Sequence, residues 1–314
     1  MLQRNYSVTE FYLIGFQNLK SFKILLFLLL LITYIMAISG NLLIVVLVST
    51  SQRLQSPMFY FLKHLSISEI LFTTNITPNM LHVLLRNSST MSLTGCIVQF
   101  YVYIASGSTE CYLLAAMSYD RYLAICKPLL YNKIMGQKLQ NSLVIFCWLL
   151  GFLSTLITMG ILTQLKFCGN YIIDHYFCDL APFVDLACSD TSVLQIIIII
   201  FSFPIMIIPF FLVLVSYSCV VVAILGMSSV IGRKKAFFTC SSHLSVVTMF
   251  YGSLIIIYLV PSNSKTLNKM ISVLYTVVTP LFNPLIYSIR NQEIRAAIYS
   301  FISKYKNLTI MPCK

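Results

Sequence analysis

Charged residues are scarce in this sequence, and their scarcity limits the class of protein. Of the 314 residues only 10% are charged and only nine are acidic, whereas 58% are hydrophobic. The mean hydropathy is +0.87. A typical soluble domain carries about 25% charged residues. The composition therefore excludes an ordinary soluble enzyme and favours a protein that crosses a membrane several times.

The sequence also lacks the short motifs that mark catalysis or export. It contains no Gly-x-x-x-x-Gly-Lys, Gly-x-Ser-x-Gly or His-Glu-x-x-His spacing, so we expect no enzyme and no cofactor other than an ion. Residues 1–20 carry Arg4, Asn5, Glu10 and Asn18 and show no uninterrupted apolar core. This argues against a cleavable signal peptide.

Seven apolar runs are present, each long enough to cross a bilayer as a helix. They lie near residues 23–48, 58–83, 94–121, 139–162, 193–226, 236–260 and 270–289. The predicted fold is an all-α membrane protein, a seven-transmembrane helix bundle. Residues 1–22 form a terminal segment before the bundle (23–289), and residues 290–314 form a tail after it.

The basic residues are divided unevenly between the two sides of this bundle. Two thirds of the 21 Lys and Arg fall in the loops after spans 1, 3 and 5 and in the tail. The positive-inside rule places these in the cytoplasm, with the N-terminus extracellular, in a multi-pass protein of the plasma membrane. This clustering accounts for the net charge of +12 without a nucleic-acid partner.

Two features suit the extracellular side. Asn5-Tyr6-Ser7 is a glycosylation acceptor, so Asn5 is the expected glycosylated residue. Four cysteines also lie outside in this topology, and two disulfides among them allow three connectivities that spacing alone does not distinguish. These cysteines are Cys96, Cys168, Cys178 and Cys188.

The tail repeats apolar residues at helical spacing. It is predicted to form a short amphipathic helix on the inner surface of the membrane, in contact with lipids through basic side chains. The apolar positions are Ile294, Ala297, Ile298, Phe301, Ile302 and Tyr305, with Arg295, Lys304 and Lys306 beside them.

Five stretches of the sequence resemble the olfactory (odorant) receptors, a branch of the rhodopsin-like G-protein-coupled receptors. They occur in the order expected for that family, and the resemblance extends over the chain from Phe11 to Ile298. The stretches are GN at 40–41, PMFYFL at 57–62, MSYDRYLAIC at 117–126, KAFFTCSSHL at 235–244 and PLFNPLIYSIRN at 280–291. Glu69 departs from the pattern, because Asp is usual there. The resemblance implies an odorant bound in the outer half of the bundle and a stimulatory, olfactory-type heterotrimeric G protein that raises cAMP.

The resemblance also selects a disulfide pairing and a switch. It pairs Cys96 with Cys178 and Cys168 with Cys188. It implies that Arg121 is held by Asp120 at rest and swings toward the G protein on activation, although a membrane-edge anchor gives the same pair of residues. The remaining switch candidates are Tyr122, Tyr217, His243, Asn283, Pro284 and Tyr287; Tyr217 also fits an interfacial aromatic, and His243 a buried structural histidine.

Two acidic residues lie near the middle of the membrane. Glu110 is about 16 Å from Arg121 along a helix, and Glu69 reaches a similar depth in span 2. Because two close carboxylates do not cheaply ionise together, we hypothesise a Na⁺ site formed by Asn41, Ser66, Glu69, Glu110 and Asn283. The alternative is a pair of protonated carboxyl groups bonded between helices.

The odorant pocket is predicted at the matching depth of four spans. Its expected lining is apolar with a few hydroxyl groups and no fixed charge, which suits a small, volatile, weakly polar molecule. Helix packing in membranes uses the same residue types. The candidates are Tyr103, Ile104, Gly107, Ser108, Phe201, Ser202, Ile205, Met206, Tyr251, Ile255, Tyr258, Val273 and Thr276.

Two other functions compete with this interpretation. A non-olfactory rhodopsin-like receptor shares the fold, but an amine receptor is expected to place an acid where Tyr103 stands. A transporter would use Glu69 and Glu110 for an ion path, yet duplicated halves and paired broken helices are not evident.

Overall fold

The computed structural model describes residues 9–16, 22–167, 171–259 and 265–310. Its frame consists of long helices that we call spans 1 to 7. Spans 1 to 6 are Lys23–Thr50, Pro57–Arg86, Leu93–Cys126, Gln137–Leu162, Ser192–Leu225 and Val230–Leu259. Span 7 joins Lys265–Val273, a π-helical turn at Leu274–Val278 and Thr279–Arg290. The predicted all-α bundle is confirmed.

The composition of these helices agrees with membrane insertion. In the described part of the chain, five helices are long and apolar enough to cross a membrane: Lys23–Thr50, Gln137–Leu162, Phe203–Leu225, Val230–Ile256 and Lys269–Arg290. Spans 2 and 3 carry polar side chains in their interiors, and Ser68, Glu69 and Glu110 among them are buried against other spans. Polar groups in a membrane protein are expected to face the bundle interior in this way.

Short polar signals set the helix ends. Span 2 begins with Pro57, whose missing N–H costs nothing in the first turn, and is followed by Asn87 in the left-handed conformation at φ 67°. Span 3 begins after Ser92, whose hydroxyl accepts a hydrogen bond of 3.1 Å from the Gly95 N–H.

A small sheet covers one end of the bundle, which we call the sheet end. Strand β1 (Glu10–Leu13) lies between β2 (Ser89–Ser92), which is antiparallel to it, and β3 (Ile172–Ile173), which is parallel. Alternate side chains of β1 face inward, so that Phe11 and Leu13 are fully buried. The opposite end carries Arg121 and is called the Arg121 end.

Several elements outside the apolar runs differ from prediction. Span 6 begins at Val230, six residues before the predicted start, and short helices form at Pro128–Ile134 and Leu180–Leu186. The predicted tail helix is present and runs over Gln292–Ile310. Hydropathy marks only the part of a helix that lies in lipid, whereas backbone hydrogen bonds continue the helix beyond the hydrocarbon.

Candidate functional site

A charged pair stands at the Arg121 end of span 3. The Nε of Arg121 donates a hydrogen bond of 2.9 Å to Oδ2 of Asp120, and its Nη2 pairs with the same oxygen. Asp120 is fully buried, and its Oδ1 accepts a hydrogen bond of 2.8 Å from the Tyr131 hydroxyl. The carboxylate therefore holds Arg121 and the short helix Pro128–Ile134 together.

Three spans bring further polar side chains toward Arg121. The Tyr217 hydroxyl of span 5 lies 2.6 Å from Nδ1 of His243 of span 6, and the two rings stack with centroids 5.6 Å apart. Tyr287 of span 7 is fully buried. Its hydroxyl and Nε2 of His243 have no hydrogen-bond partner among the described residues. All three side chains lie within electrostatic range of Arg121.

A cavity of about 740 Å³ opens at the same end of the bundle. It is formed by the ends of spans 2, 3, 6 and 7, the helix Pro128–Ile134 and the start of the tail helix. Its walls are apolar with three basic side chains and one acidic one, and include Arg121, Tyr131, Lys234, Phe238, Arg290 and Glu293.

A cluster of buried oxygen atoms occupies the middle of the bundle. Asn283 donates a hydrogen bond to Oε1 of Glu69, and Asn41 donates to the Pro280 carbonyl at 3.2 Å. Glu110 lies within electrostatic range of Glu69 and hydrogen-bonding reach of Ser68. One oxygen of each of Asn41, Glu69, Glu110 and Asn283 has no partner among the described residues.

These four oxygens fit a hard cation such as Na⁺, because carboxylate and amide oxygens are its preferred ligands and an unpartnered buried acceptor requires an explanation. Ser66 is buried, but the contact with Glu110 comes from Ser68, which sequence reasoning missed. The described residues contain no group of three His, Cys, Asp or Glu side chains suited to a metal.

Aromatic side chains fill the space between this cluster and the sheet end. The Tyr103 ring lies 5.5 Å from Phe72, 5.2 Å from Phe177 and 6.2 Å from Tyr275. A Cβ at Gly107 would lie 3.1 Å from the Tyr275 hydroxyl, so the absence of a side chain there admits the ring.

The long loop between spans 4 and 5 is fastened over these rings. The disulfide Cys96–Cys178 ties the loop to span 3. Gln99 accepts a hydrogen bond of 3.0 Å from the Cys178 N–H and donates one of 3.0 Å to the Asn75 carbonyl. Tyr176 and Thr276 are joined through their hydroxyl groups at 3.1 Å.

Two titratable groups of this loop are perturbed. Burial, with the nearby Lys269 ammonium, lowers the pKa of His175 to about 3, so the imidazole is neutral at physiological pH. Burial raises the pKa of Asp179. The hydrogen bond that its carboxylate accepts from the Leu180 N–H partly offsets this shift.

Comparison with known proteins decides the family. A family model described as olfactory receptor matches residues 30–305. Olfactory receptor 11A1 from Homo sapiens is 46% identical over 296 residues, covering 94% of each chain. Olfactory receptor 5G9 from Mus musculus is 40% identical over 309 residues, covering 98% of each. The chain belongs to the olfactory receptor family.

This olfactory receptor is therefore a multi-pass membrane protein and a G-protein-coupled receptor rather than an enzyme. Its partners are of two kinds, odorant ligands and a G protein. The candidates for the switch, Asp120, Arg121, Tyr217, His243 and Tyr287, meet at its Arg121 end. Tyr122 is half-buried and stacks on Tyr119, with ring centroids 6.4 Å apart.

The candidates for the odorant pocket are dispersed more widely in the receptor. Tyr103, Gly107, Ser108, Tyr251 and Thr276 are buried, whereas Ile255 is 41% exposed and does not belong to the buried interior. The half-buried candidates are Ile104, Phe201, Ile205, Met206 and Val273. The side chains of Ser202 and Tyr258 lie outside the described set, as do Asn5 and the predicted partner of Cys188, Cys168.

Sequence reasoning missed four aromatic residues at this site. Phe72, Phe177 and Tyr275 surround Tyr103, and Tyr176 bonds to Thr276. Tyr176 and Phe177 immediately precede Cys178 in sequence, and the pairing of Cys178 with span 3 was the available signal that this part of the loop enters the bundle.

Proposed function

We propose that the receptor binds a small, volatile, weakly polar odorant beneath the long loop and activates a stimulatory G protein of the olfactory type, which raises cAMP. The observation that carries this proposal is the convergence of Asp120, Tyr131, Tyr217, His243 and Tyr287 on Arg121, at the wall of the 740 Å³ cavity. A guanidinium restrained beside an open cavity is suited to a change of partner when the helices move.

The sheet end is then extracellular and the Arg121 end cytoplasmic, in the plasma membrane. The Cys96–Cys178 disulfide supports this orientation, because such bonds persist in oxidising compartments. Lys127, Lys133 and Arg290 lie at the other end, as the positive-inside rule requires. The tail helix would lie against inner-leaflet lipids. Within its described part, Ile294 and Ala297 are buried against the rest of the chain.

The odorant would contact the span 3 face around Tyr103 and Gly107 and the span 6 residue Tyr251. The Tyr251 hydroxyl is buried and meets the geometric criteria for a hydrogen bond with none of the described residues. The Cys111 thiol lies nearby. The other groups at this depth are mainly apolar rings. Such a lining recognises shape and apolar area together with one hydrogen-bonding group.

At the Arg121 end the proposed mechanism is an exchange of partners. In this structure Asp120 accepts bonds from both Arg121 and Tyr131. Outward movement of span 6 would separate His243 from Tyr217 and free both side chains to contact Arg121. The widened cavity would then receive the end of a G-protein helix, for which Phe238 offers an apolar contact and Lys234 and Arg290 offer positive charge.

We also propose that Na⁺ binds at Glu69, Glu110, Asn283 and Asn41 in the resting receptor, with Ser68 rather than Ser66 as the serine of the site. The four unpartnered oxygens support it. Bound at this place, Na⁺ would neutralise carboxylates that are costly to bury together.

The test is an odorant panel applied to cells that express the receptor at a confirmed surface level. We expect at least one volatile compound to raise cAMP in cells that contain the stimulatory G-protein α subunit, and not in cells from which that subunit has been deleted. A response that persists in the deleted cells would reject the assigned G protein. No response to any compound, with a related receptor responding in parallel, would reject odorant activation.

A further inference from the structure

One buried ammonium group joins three separate parts of the chain at the sheet end. The Nζ of Lys269, at the head of span 7, donates a hydrogen bond of 3.0 Å to the Gly15 carbonyl and forms an ion pair with Asp174 of the long loop. Lys269 is only 8% exposed. A buried ammonium is costly unless it is paired and hydrogen-bonded, so this contact is a built feature of the fold.

The terminal segment that Lys269 holds is an integral part of the structure. The Tyr12 N–H donates to the Tyr171 carbonyl at 2.7 Å, and the Ile14 N–H donates to the Ile173 carbonyl at 2.9 Å. The Phe11 ring packs edge-on against two other rings, Phe167 at 5.4 Å and Phe183 at 5.8 Å. Residues 10–16 and the described part of the long loop therefore form a single layer, which we call the ceiling.

The ceiling is attached to span 7 at a second level. Tyr176 bonds to Thr276, and Phe16 stacks on Tyr176 with centroids 5.5 Å apart and an interplanar angle of 13°. Lys269 and Thr276 are seven residues apart, about 10 Å of helix. Thr276 is also a candidate for the odorant lining, so the lower attachment lies at the proposed site and the upper one above it.

We propose that Lys269 is a positioning residue for the odorant site: its ammonium fastens the terminal segment and the long loop to span 7 as one ceiling, and this closure slows the escape of the bound odorant. The proposal rests on the proposed function. Closure acts mainly on dissociation, because an odorant beneath the layer leaves only when Phe16, Tyr176 and the loop move together.

The experiment compares receptors at matched surface expression, with an agonist from the odorant panel. After washout, the loss of association between receptor and G protein is followed by resonance energy transfer. We expect Lys269→Met and Asp174→Asn to release the agonist about tenfold faster, and to require about tenfold more of it, with the same maximal response. Lys269→Arg, which keeps the charge and the donors, should stay close to the wild type.

Lys23 provides the matched control. Its Nζ also bonds between segments at the sheet end, to the Leu85 carbonyl at 2.6 Å and to Oδ1 of Asn87 at 2.8 Å, and neither acceptor belongs to the ceiling. Lys23→Met removes the same charge and should leave the release rate unchanged. Equal release rates in wild type, Lys269→Met and Asp174→Asn would overturn the proposal, as would an equal acceleration in Lys23→Met.

Two further measurements keep the test decisive. If Lys269→Met fails to reach the surface, Phe16→Leu removes the stack on Tyr176 while leaving the ion pair, and unchanged release in it and in Asp174→Asn rejects the proposal. If the wild-type receptor responds to no odorant, the proposed function fails independently of this proposal. The stability of the ceiling is then measured as the rate of amide hydrogen exchange at Tyr12 and Ile14 in purified receptor. Asp174→Asn should accelerate this exchange, and an unchanged rate overturns the role of Lys269.

Discussion

Tyr131 and Asp120 are joined by a hydrogen bond of 2.8 Å, although the end of span 3 lies between them in the chain. The bond makes Asp120 the common acceptor of Arg121 and of the short helix that follows span 3. The restraint on Arg121 thus depends on a residue outside the acid–arginine pair itself.

Replacing Tyr131 should weaken that restraint. Tyr131→Phe removes a hydrogen bond to a charged acceptor, worth about 1.5–3 kcal/mol. We expect basal cAMP to rise by up to about tenfold, which corresponds to 1.4 kcal/mol of the resting-state preference. Tyr119→Phe changes an exposed tyrosine of span 3; it is the control and should not change basal cAMP. Equal basal cAMP in all three receptors would refute the role of Tyr131.

Arg121 itself should be required for signalling. Arg121→Ala leaves the fully buried Asp120 without its cation, so both the resting restraint and the proposed contact with the G protein are lost. Removing one partner of a buried pair costs about 3–5 kcal/mol. We expect agonist-evoked cAMP to fall at least tenfold at matched surface expression, with Arg295→Ala unaffected because that side chain is exposed. A full response from Arg121→Ala would contradict the switch.

Sodium should favour the resting receptor. If Na⁺ binds the mid-bundle oxygens, replacing choline by sodium in the medium lowers basal cAMP in the wild type. Glu69→Gln loses the carboxylate that accepts from Asn283, and its basal cAMP should be independent of sodium. Glu293→Gln changes an acid of the tail helix and should keep the wild-type dependence. An identical sodium response in wild type and Glu69→Gln would reject this site.

The disulfide should contribute strongly to stability. Cys96 and Cys178 are 82 residues apart in sequence, so their bond closes a long loop. Its removal typically costs about 2–5 kcal/mol. We expect Cys96→Ser to lower the melting temperature of the purified receptor, and Cys219→Ser, which removes an exposed free thiol, to leave it unchanged. Comparable melting temperatures for both variants would refute the prediction.

The neutral state of His175 predicts a pH dependence. Its pKa of about 3 in the folded protein lies below the ordinary histidine value of 6.5, so the unfolded chain binds the proton first. The corresponding stability is present above pH 6.5 and is lost as the pH falls toward 3. We expect the melting temperature to decrease over this range, and to decrease less in His175→Gln. Equal slopes for the two proteins would show that other groups dominate.

The motif around Arg121 could be interpreted from the sequence because it is local. Asp120 and Arg121 are adjacent, and an acid and a base at the end of an apolar run mark a membrane edge. Tyr131 lacked such a signal, because its contact requires the chain to turn back after Pro128. The same reasoning applies to the serine of the mid-bundle cluster: Ser66 and Ser68 lie at similar depths along span 2, and only helix rotation decides which one meets Glu110.

The sequence by itself determined the number of spans, their approximate limits and the family, because apolar runs and linear motifs depend on neighbouring residues and on the thickness of the bilayer. Only the tertiary structure decided that residues 10–13 form the centre of a sheet, that Lys269 reaches Gly15 and Asp174, and that Phe177 enters the ring cluster. These contacts join residues far apart in the chain. They depend on which buried groups find partners after the helices have packed, and no local pattern records that.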